Sequence, residues 1–204
     1  MDIRRCGDQA VLAELADIDH VLALHRALRD DPPAGVTEMV PAARTLLLAF
    51  DPAVTDARRI GADLRGRRPV VTVDVPGRLV ELPVVYDGLD LADVAERTGL
   101  RVAEVVERHS AVTYTVAFCG FVPGFGYLTG TDQRLHLPRR SSPRTRVPAG
   151  AVAIADEFSG IYPRAAPGGW HILGSTDAAM WRLDRDPPAL LRPGDRVRFV
   201  PRPA

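Results

Sequence analysis

The sequence predicts an α+β protein: a ferredoxin-like α/β domain over residues 1–77, then a β-rich domain over residues 78–204. Three observations predict it. The first third alternates strand-length and helix-length apolar patterns in the order strand, helix, strand, strand, helix, strand. A pair of short helices follows. From Thr113 onward, short apolar runs alternate with glycine and proline turns, which is the pattern of a barrel or sandwich.

In order, Asp2 to Arg5 and Ala10 to Leu15 read as strands joined by a polar turn around Gly7 and Asp8. Asp17-Ile-Asp19 opens a helix with negative charge where the helix dipole favours it. Val21, Leu22, Leu24 and Leu28 form its apolar stripe, and Asp31-Pro32-Pro33 ends it. Val36 to Pro41 and Thr45 to Phe50 read as paired strands. Thr55 or Asp56 caps a second helix that carries Ile60 and Leu64 and ends near Gly66. Val70 to Val75 is expected as a further strand. After the turn at Pro76-Gly77, Leu79 to Tyr86 reads as the strand that starts the second domain.

Two short helices follow, the first capped near Asp90 and stopped by Gly99. They look like a DNA-reading pair. The second, however, sets Glu104 and Glu107 against Arg101 and Arg108, whereas a helix facing phosphates is expected to be net positive. Packing on the β-rich domain is the expectation instead. The remaining strands are read at Thr113 to Phe118, Ala151 to Ala155, Gly160 to Arg164, His171 to Ser175 and Val197 to Val200. Arg192-Pro193-Gly194-Asp195 turns into the last of them.

The 26 basic and 26 acidic residues cancel, which argues against a nucleic-acid partner. Arginine dominates the basic set. Cys6 and Cys119 are far apart and form no C-x-x-C, so neither a zinc site nor a redox dithiol is expected. Cys119 is expected to behave as a small buried hydrophobe. The N-terminal stretch is not a signal peptide, and no apolar run is long enough to span a bilayer. A soluble, cytoplasmic protein without a membrane partner is the expectation.

One run concentrates the unusual chemistry. Phe118 to Gly130, FCGFVPGFGYLTG, holds four glycines, three phenylalanines, a tyrosine and a proline and no charge. It reads as a strand entering a tightly packed, glycine-hinged loop, where backbone lies close to a ligand or to a neighbouring strand. It matches neither a P-loop nor a dinucleotide fingerprint. The N–H groups of Gly124 to Gly126 could still form an anion nest. Arg134, Arg139, Arg140, Arg144 and Arg146 are interleaved with Pro138, Pro143 and Pro148. That cluster reads either as a pre-positioned anion site for a carboxylate or phosphoryl group, or as a solvated loop. His109, at a helix C-terminus, reads either as a general base or as a capping or core histidine. Trp170, after the Gly168-Gly169 turn, either floors a pocket or plugs the barrel. No Gly-x-Ser-x-Gly elbow supports a serine hydrolase.

GFVPGFGYLTG, LPRRSSPRTRVPAG and GIYPRAAPGGWHILGST, in that order and spacing, resemble the B-subunit family of 5-oxoprolinases. The same family is called allophanate hydrolase subunit 1 or KipI. LADVAERTGL, VVERHSAVTYTVAF and DPPALLRPGDRVRFVP also resemble it. The likeness is strong from Leu79 onward and looser before it.

The resemblance implies a ferredoxin-like N-terminal domain followed by a cyclophilin-like β-barrel. It implies one component of a 5-oxoprolinase complex, with the A and C subunits as partners. That complex opens 5-oxoproline to glutamate using ATP; no metal is predicted from the sequence. The other branches imply alternatives: a KipI-like inhibitor of a sensor histidine kinase, or a carboxyltransferase or allophanate hydrolase-type subunit. On this reading His109, Arg144 and Arg146 are the catalytic candidates. Phe121, Pro123, Gly124, Tyr127, Arg139, Arg140, Tyr162 and Trp170 are the candidates for binding a small anionic substrate. Where many relatives read AG-x-Q-T-G-I-Y, this chain has Asp156-Glu157-Phe158-Ser159-Gly160-Ile161-Tyr162. If that strand lines the ligand groove, substrate preference differs.

Overall fold

The computed structural model describes residues 1–68 and 77–203. The chain divides into two compact units, Met1–Asp74 and Val75–Ala204.

In the first unit, β1 (Asp2–Cys6) and β2 (Ala10–Glu14) form an antiparallel hairpin. Helix α1 (Ile18–Asp30) starts where the Asp17 carboxylate accepts the His20 N–H. Strands β3 (Val36–Pro41) and β4 (Thr45–Phe50) lead to α2 (Ala57–Gly66), which Asp56, and not Thr55, caps through the Arg59 N–H. The sheet runs β1-β2-β4-β3 and is antiparallel throughout. Strand alternation buries Val11, Ala13, Leu46, Leu48 and Phe50, and helical spacing buries Val21, Leu24, Leu28, Ile60 and Leu64. Each such large side chain contributes about 1.5–3 kcal/mol by leaving water. The strand expected at Val70 to Val75 lies outside the described residues.

The second unit opens with β5 (Leu79–Val85), α3 (Leu91–Thr98) and α4 (Val102–Ser110). Then come β6 (Tyr114–Cys119), β7 (Gly126–Thr129), β8 (Arg144–Val147), β9 (Ala151–Ala155) and β10 (Phe158–Ile161). β11 (Ala166–Gly168), β12 (His171–Ser175) and β13 (Arg196–Arg202) complete it. Seven strands close a barrel in the order β10-β7-β6-β13-β5-β12-β9, while β8 and β11 pair separately as a ribbon. Every barrel pairing is antiparallel except β5 with β13, which is parallel.

Leu82, Val84, Tyr114, Val116, Leu128, Val152, Val197 and Phe199 belong to one buried cluster of this unit. A second cluster joins Leu91, Val94 and Val105 of the helices to Ile154 and Leu173 of the strands. Helix α3 packs on β12 and α4 on β13, so the helix pair is a cover for the barrel. Among the described residues, no helix is long and apolar enough to cross a membrane.

Three local expectations need correction. Gly126 to Thr129, read as loop, is strand β7; its opening glycine and four-residue length hide the alternation. The strand expected at Gly160 to Arg164 instead occupies Phe158–Ile161. Cys119 is exposed, because it ends β6 on an outward-facing position.

Candidate functional site

The β6–β7 hairpin, the loop before β8 and the turn between β11 and β12 surround one cleft of about 290 Å³. Its aromatic walls are Phe121, Phe125, Tyr127, Tyr162 and Trp170, and Arg139 and Arg140 contribute its charge. The rings meet edge to face: Phe125 with Trp170 at 86°, Phe125 with Tyr162 at 80° and Phe121 with Phe125 at 84°. Such a box presents flat, apolar faces to a ligand.

Glycine makes the box possible where backbone must lie against a ring. A Cβ on Gly168 would sit 2.1 Å from the Tyr162 hydroxyl, and one on Gly160 would sit 2.9 Å from the Phe125 ring. Phe121 holds φ at 65° with its side chain over half exposed. A bulky residue in the left-handed region is strained, and such strain concentrates at binding sites. Burial pushes the phenols of Tyr127 and Tyr162 upward, so both remain protonated donors at neutral pH.

Behind the arginine wall lies Asp90, only 2% exposed. Arg144 donates to it bidentately at 2.8 and 2.7 Å, Arg140 donates at 2.7 Å, and the Ile172 N–H donates at 2.8 Å. Burial works to raise the Asp90 carboxyl, but the Arg144 hydrogen bonds, the Ile172 N–H and the two guanidinium charges outweigh it and hold it below its ordinary value. The same bonds hold the Arg144 guanidinium above its own. A second tie runs from the Arg140 N–H to the Gly169 carbonyl at 2.7 Å. Asp90 thus clamps the loop before β8 to β12. The sequence reading makes it the cap of α3, but its side chain makes no capping bond.

The structure brings Phe121, Tyr127, Arg139, Arg140, Tyr162 and Trp170 together around the cleft. Arg144 does not line it, because its guanidinium faces Asp90. Arg146 is exposed on β8 and also lies off the lining. Pro123 and Gly124 face a separate shallow hollow with Cys119 and Trp181. The Phe125 N–H donates to the Val122 carbonyl at 3.0 Å, so an anion nest over Gly124 to Gly126 has lost its middle donor.

His109 is the largest correction. Val105 and His109, four residues apart, share the inward face of α4, and His109 is fully buried beneath it. His109 Nε2 shares a hydrogen bond with the Ser159 hydroxyl at 2.9 Å, and Nδ1 shares one with the Tyr86 hydroxyl at 2.7 Å. The ring stacks on Phe199 with centroids 4.7 Å apart. Burial pushes its pKa down to about 3. It is a neutral core histidine and is not among the residues that line the cleft.

Comparison with known proteins gives this geometry a context. A family model described as carboxyltransferase domain, subdomain C and D, matches residues 1–191. The B subunit of the Escherichia coli 5-oxoprolinase is 40% identical over 214 residues, covering 98% of this chain and 97% of that protein. Its Bacillus subtilis counterpart, of the same name, is 34% identical, covering 97% and 91%. The solved structure of TTHA0988 is 39% identical with a TM-score of 0.77; it covers 97% of this chain, which spans 40% of that one.

Proposed function

The chain belongs to the carboxyltransferase domain, subdomain C and D, family, and on that premise we propose that it is the B component of an ATP-dependent 5-oxoprolinase. The complex opens 5-oxoproline to glutamate, and this chain works in it with the C and A subunits in the cytoplasm. The observation that carries the reading is the aromatic cleft edged by Arg139. It suits a small, flat lactam bearing one carboxylate: the ring lies against apolar faces and the acid meets a guanidinium. The curated relatives carry the name of the enzyme component, which favours this reading over a kinase inhibitor.

A lactam is a poor electrophile, and coupling to ATP supplies the activation that its amide lacks. About 290 Å³ suits a small ring, and two of the three neighbouring arginines are already committed to Asp90. This chain's own residues bind and orient the lactam. Trp170, Phe125 and Tyr127 exclude water from its ring, and the protonated Tyr127 phenol stands on the wall as a donor. Arg146 and His109 leave the catalytic set, and Arg144 supports the wall from behind. The first unit is read as ferredoxin-like and the barrel as cyclophilin-like, over residues 1–77 and 78–204.

Reconstitution with the A and C subunits tests the reading. Glutamate is expected from 5-oxoproline only when ATP and this chain are both present. Equal release without the chain, or none from the full set, overturns it.

A further inference from the structure

Resting on that reading, we propose that Arg139 alone grips the substrate's carboxylate and that Asp156 is the counter-ion the substrate displaces. The site then takes a flat monocarboxylate and refuses a phosphate.

The argument is one of charge already spent. Arg140 and Arg144 both donate to Asp90, at 2.7 to 2.8 Å, and their charge is drawn behind the wall. The Arg140 backbone N–H is also spent, on Gly169, and its Nε–H, though without a partner, is buried away from solvent. Arg139 differs from both. Its side chain is 61% exposed, and its nearest carboxylate, Asp156, stands 4.0 Å from Nε, beyond hydrogen-bond range. Three guanidinium groups against two carboxylates leave one positive charge among these five groups. A monocarboxylate matches that charge, while a phosphate dianion exceeds it.

The spacing of Arg139 from Asp156 is built into the backbone. The Asp156 N–H donates to the Leu137 carbonyl at 2.7 Å, and Leu137 and Asp156 form a β-bridge. The counter-ion and the arginine, two residues beyond Leu137, are therefore carried on one fastening. Asp156 holds φ at 52°, a conformation that aspartate tolerates better than most residues. The result is an ion pair held near, yet short of, contact, which a bidentate ligand carboxylate outcompetes.

Calorimetry on the full chain tests this with 5-oxoproline, its neutral analogue 2-pyrrolidinone, inorganic phosphate, and benzoate as a flat carboxylate of unrelated skeleton. Both residues are exposed, so neither Arg139→Gln nor Asp156→Asn threatens folding. Arg139→Gln is expected to weaken 5-oxoproline by about tenfold or more, the worth of a charge-assisted contact. Asp156→Asn is expected to tighten it by about threefold, since an exposed pair is weak. Neither variant should move 2-pyrrolidinone, and phosphate should not displace 5-oxoproline. Unchanged binding in Arg139→Gln, weaker binding in Asp156→Asn, or displacement by phosphate overturns the proposal. Should 5-oxoproline fail to bind while benzoate shows the same dependence on both residues, the carboxylate site stands and the substrate reading falls.

Discussion

Two buried polar networks sit in the barrel unit, and they do opposite work. Around His109 every partner is neutral: Tyr86, Ser159 and a stacked Phe199. Around Asp90 the side-chain partners are charged: Arg140 and Arg144 meet one carboxylate. The first network spends its hydrogen bonds inward and leaves nothing for a ligand. The second lies one side chain behind the cleft, so its saturation decides how much charge the cleft offers. Burial and a polar group do not by themselves mark a functional site. What matters is whether the partners end in the core or at a wall that a ligand touches.

Removing Asp90 breaks the comparison hardest. Asp90→Ala leaves two guanidinium groups facing each other and is expected to destabilise the barrel unit by about 3–4 kcal/mol. It should also loosen the arginine wall and weaken 5-oxoproline binding. Both tryptophans, Trp170 and Trp181, lie in this unit, so tryptophan fluorescence during urea unfolding reports on it. Removal of His109 is gentler and should separate stability from binding. His109→Gln is expected to destabilise by about 2 kcal/mol, because Tyr86 and Ser159 lose well-placed partners. At temperatures where the variant is folded, ligand affinity should match wild type. A changed affinity would join the two networks.

Acid sharpens the contrast. His109 titrates near pH 3 when folded and near ~6.5 when unfolded, so the unfolded chain binds the extra proton between those values. Stability therefore falls as pH drops below ~6.5, by about 1 kcal/mol per unit for this group. Asp90, also held below its ordinary value, loses stability in the same direction but in a lower pH window. Its stabilisation is present above the unfolded carboxyl value of ~3.9 and is lost only as pH falls through the lower folded value. Unfolding of the barrel unit, followed by tryptophan fluorescence from pH 7 to 5, should slope less in His109→Gln than in wild type, while His25, also held below its ordinary value by burial, keeps its own contribution. An unchanged slope in the variant would place the titrating group elsewhere.

Phe121 gives the smallest stability effect. Phe121→Gly releases a left-handed φ while losing half-exposed ring contacts, so stability should stay within about 1 kcal/mol of wild type. Binding of 5-oxoproline should weaken, because a wall of the box is gone. Unchanged affinity would mean that the strain serves only the hairpin.

Much of this is legible in residue order, and the failures have physical reasons. FCGFVPGFGYLTG announces a packed bend beside something, and the bend does line the cleft. The first unit's strands and helices fall where apolar periodicity puts them, up to the residues beyond 68. His109 misleads because a helix C-terminus is a good place for a charged imidazole, and only the fold shows that this one points inward. Asp90 is hidden more deeply. Its partners stand 50, 54 and 82 residues away, and a helix-opening aspartate already has an ordinary explanation. Arginine spacing alone likewise does not show which guanidinium is already engaged.

The parallel seam between β5 and β13 has a consequence for how the molecule is made. A ribosome delivers β5 before any other barrel strand and β13 after all of them. Until Arg202 has cleared the exit tunnel, the edges of β5 and β6 that β13 will join have no strand between them, and Leu82 and Val84 lack Phe199 as a neighbour. The ligand-binding half is therefore the later of the two units to mature.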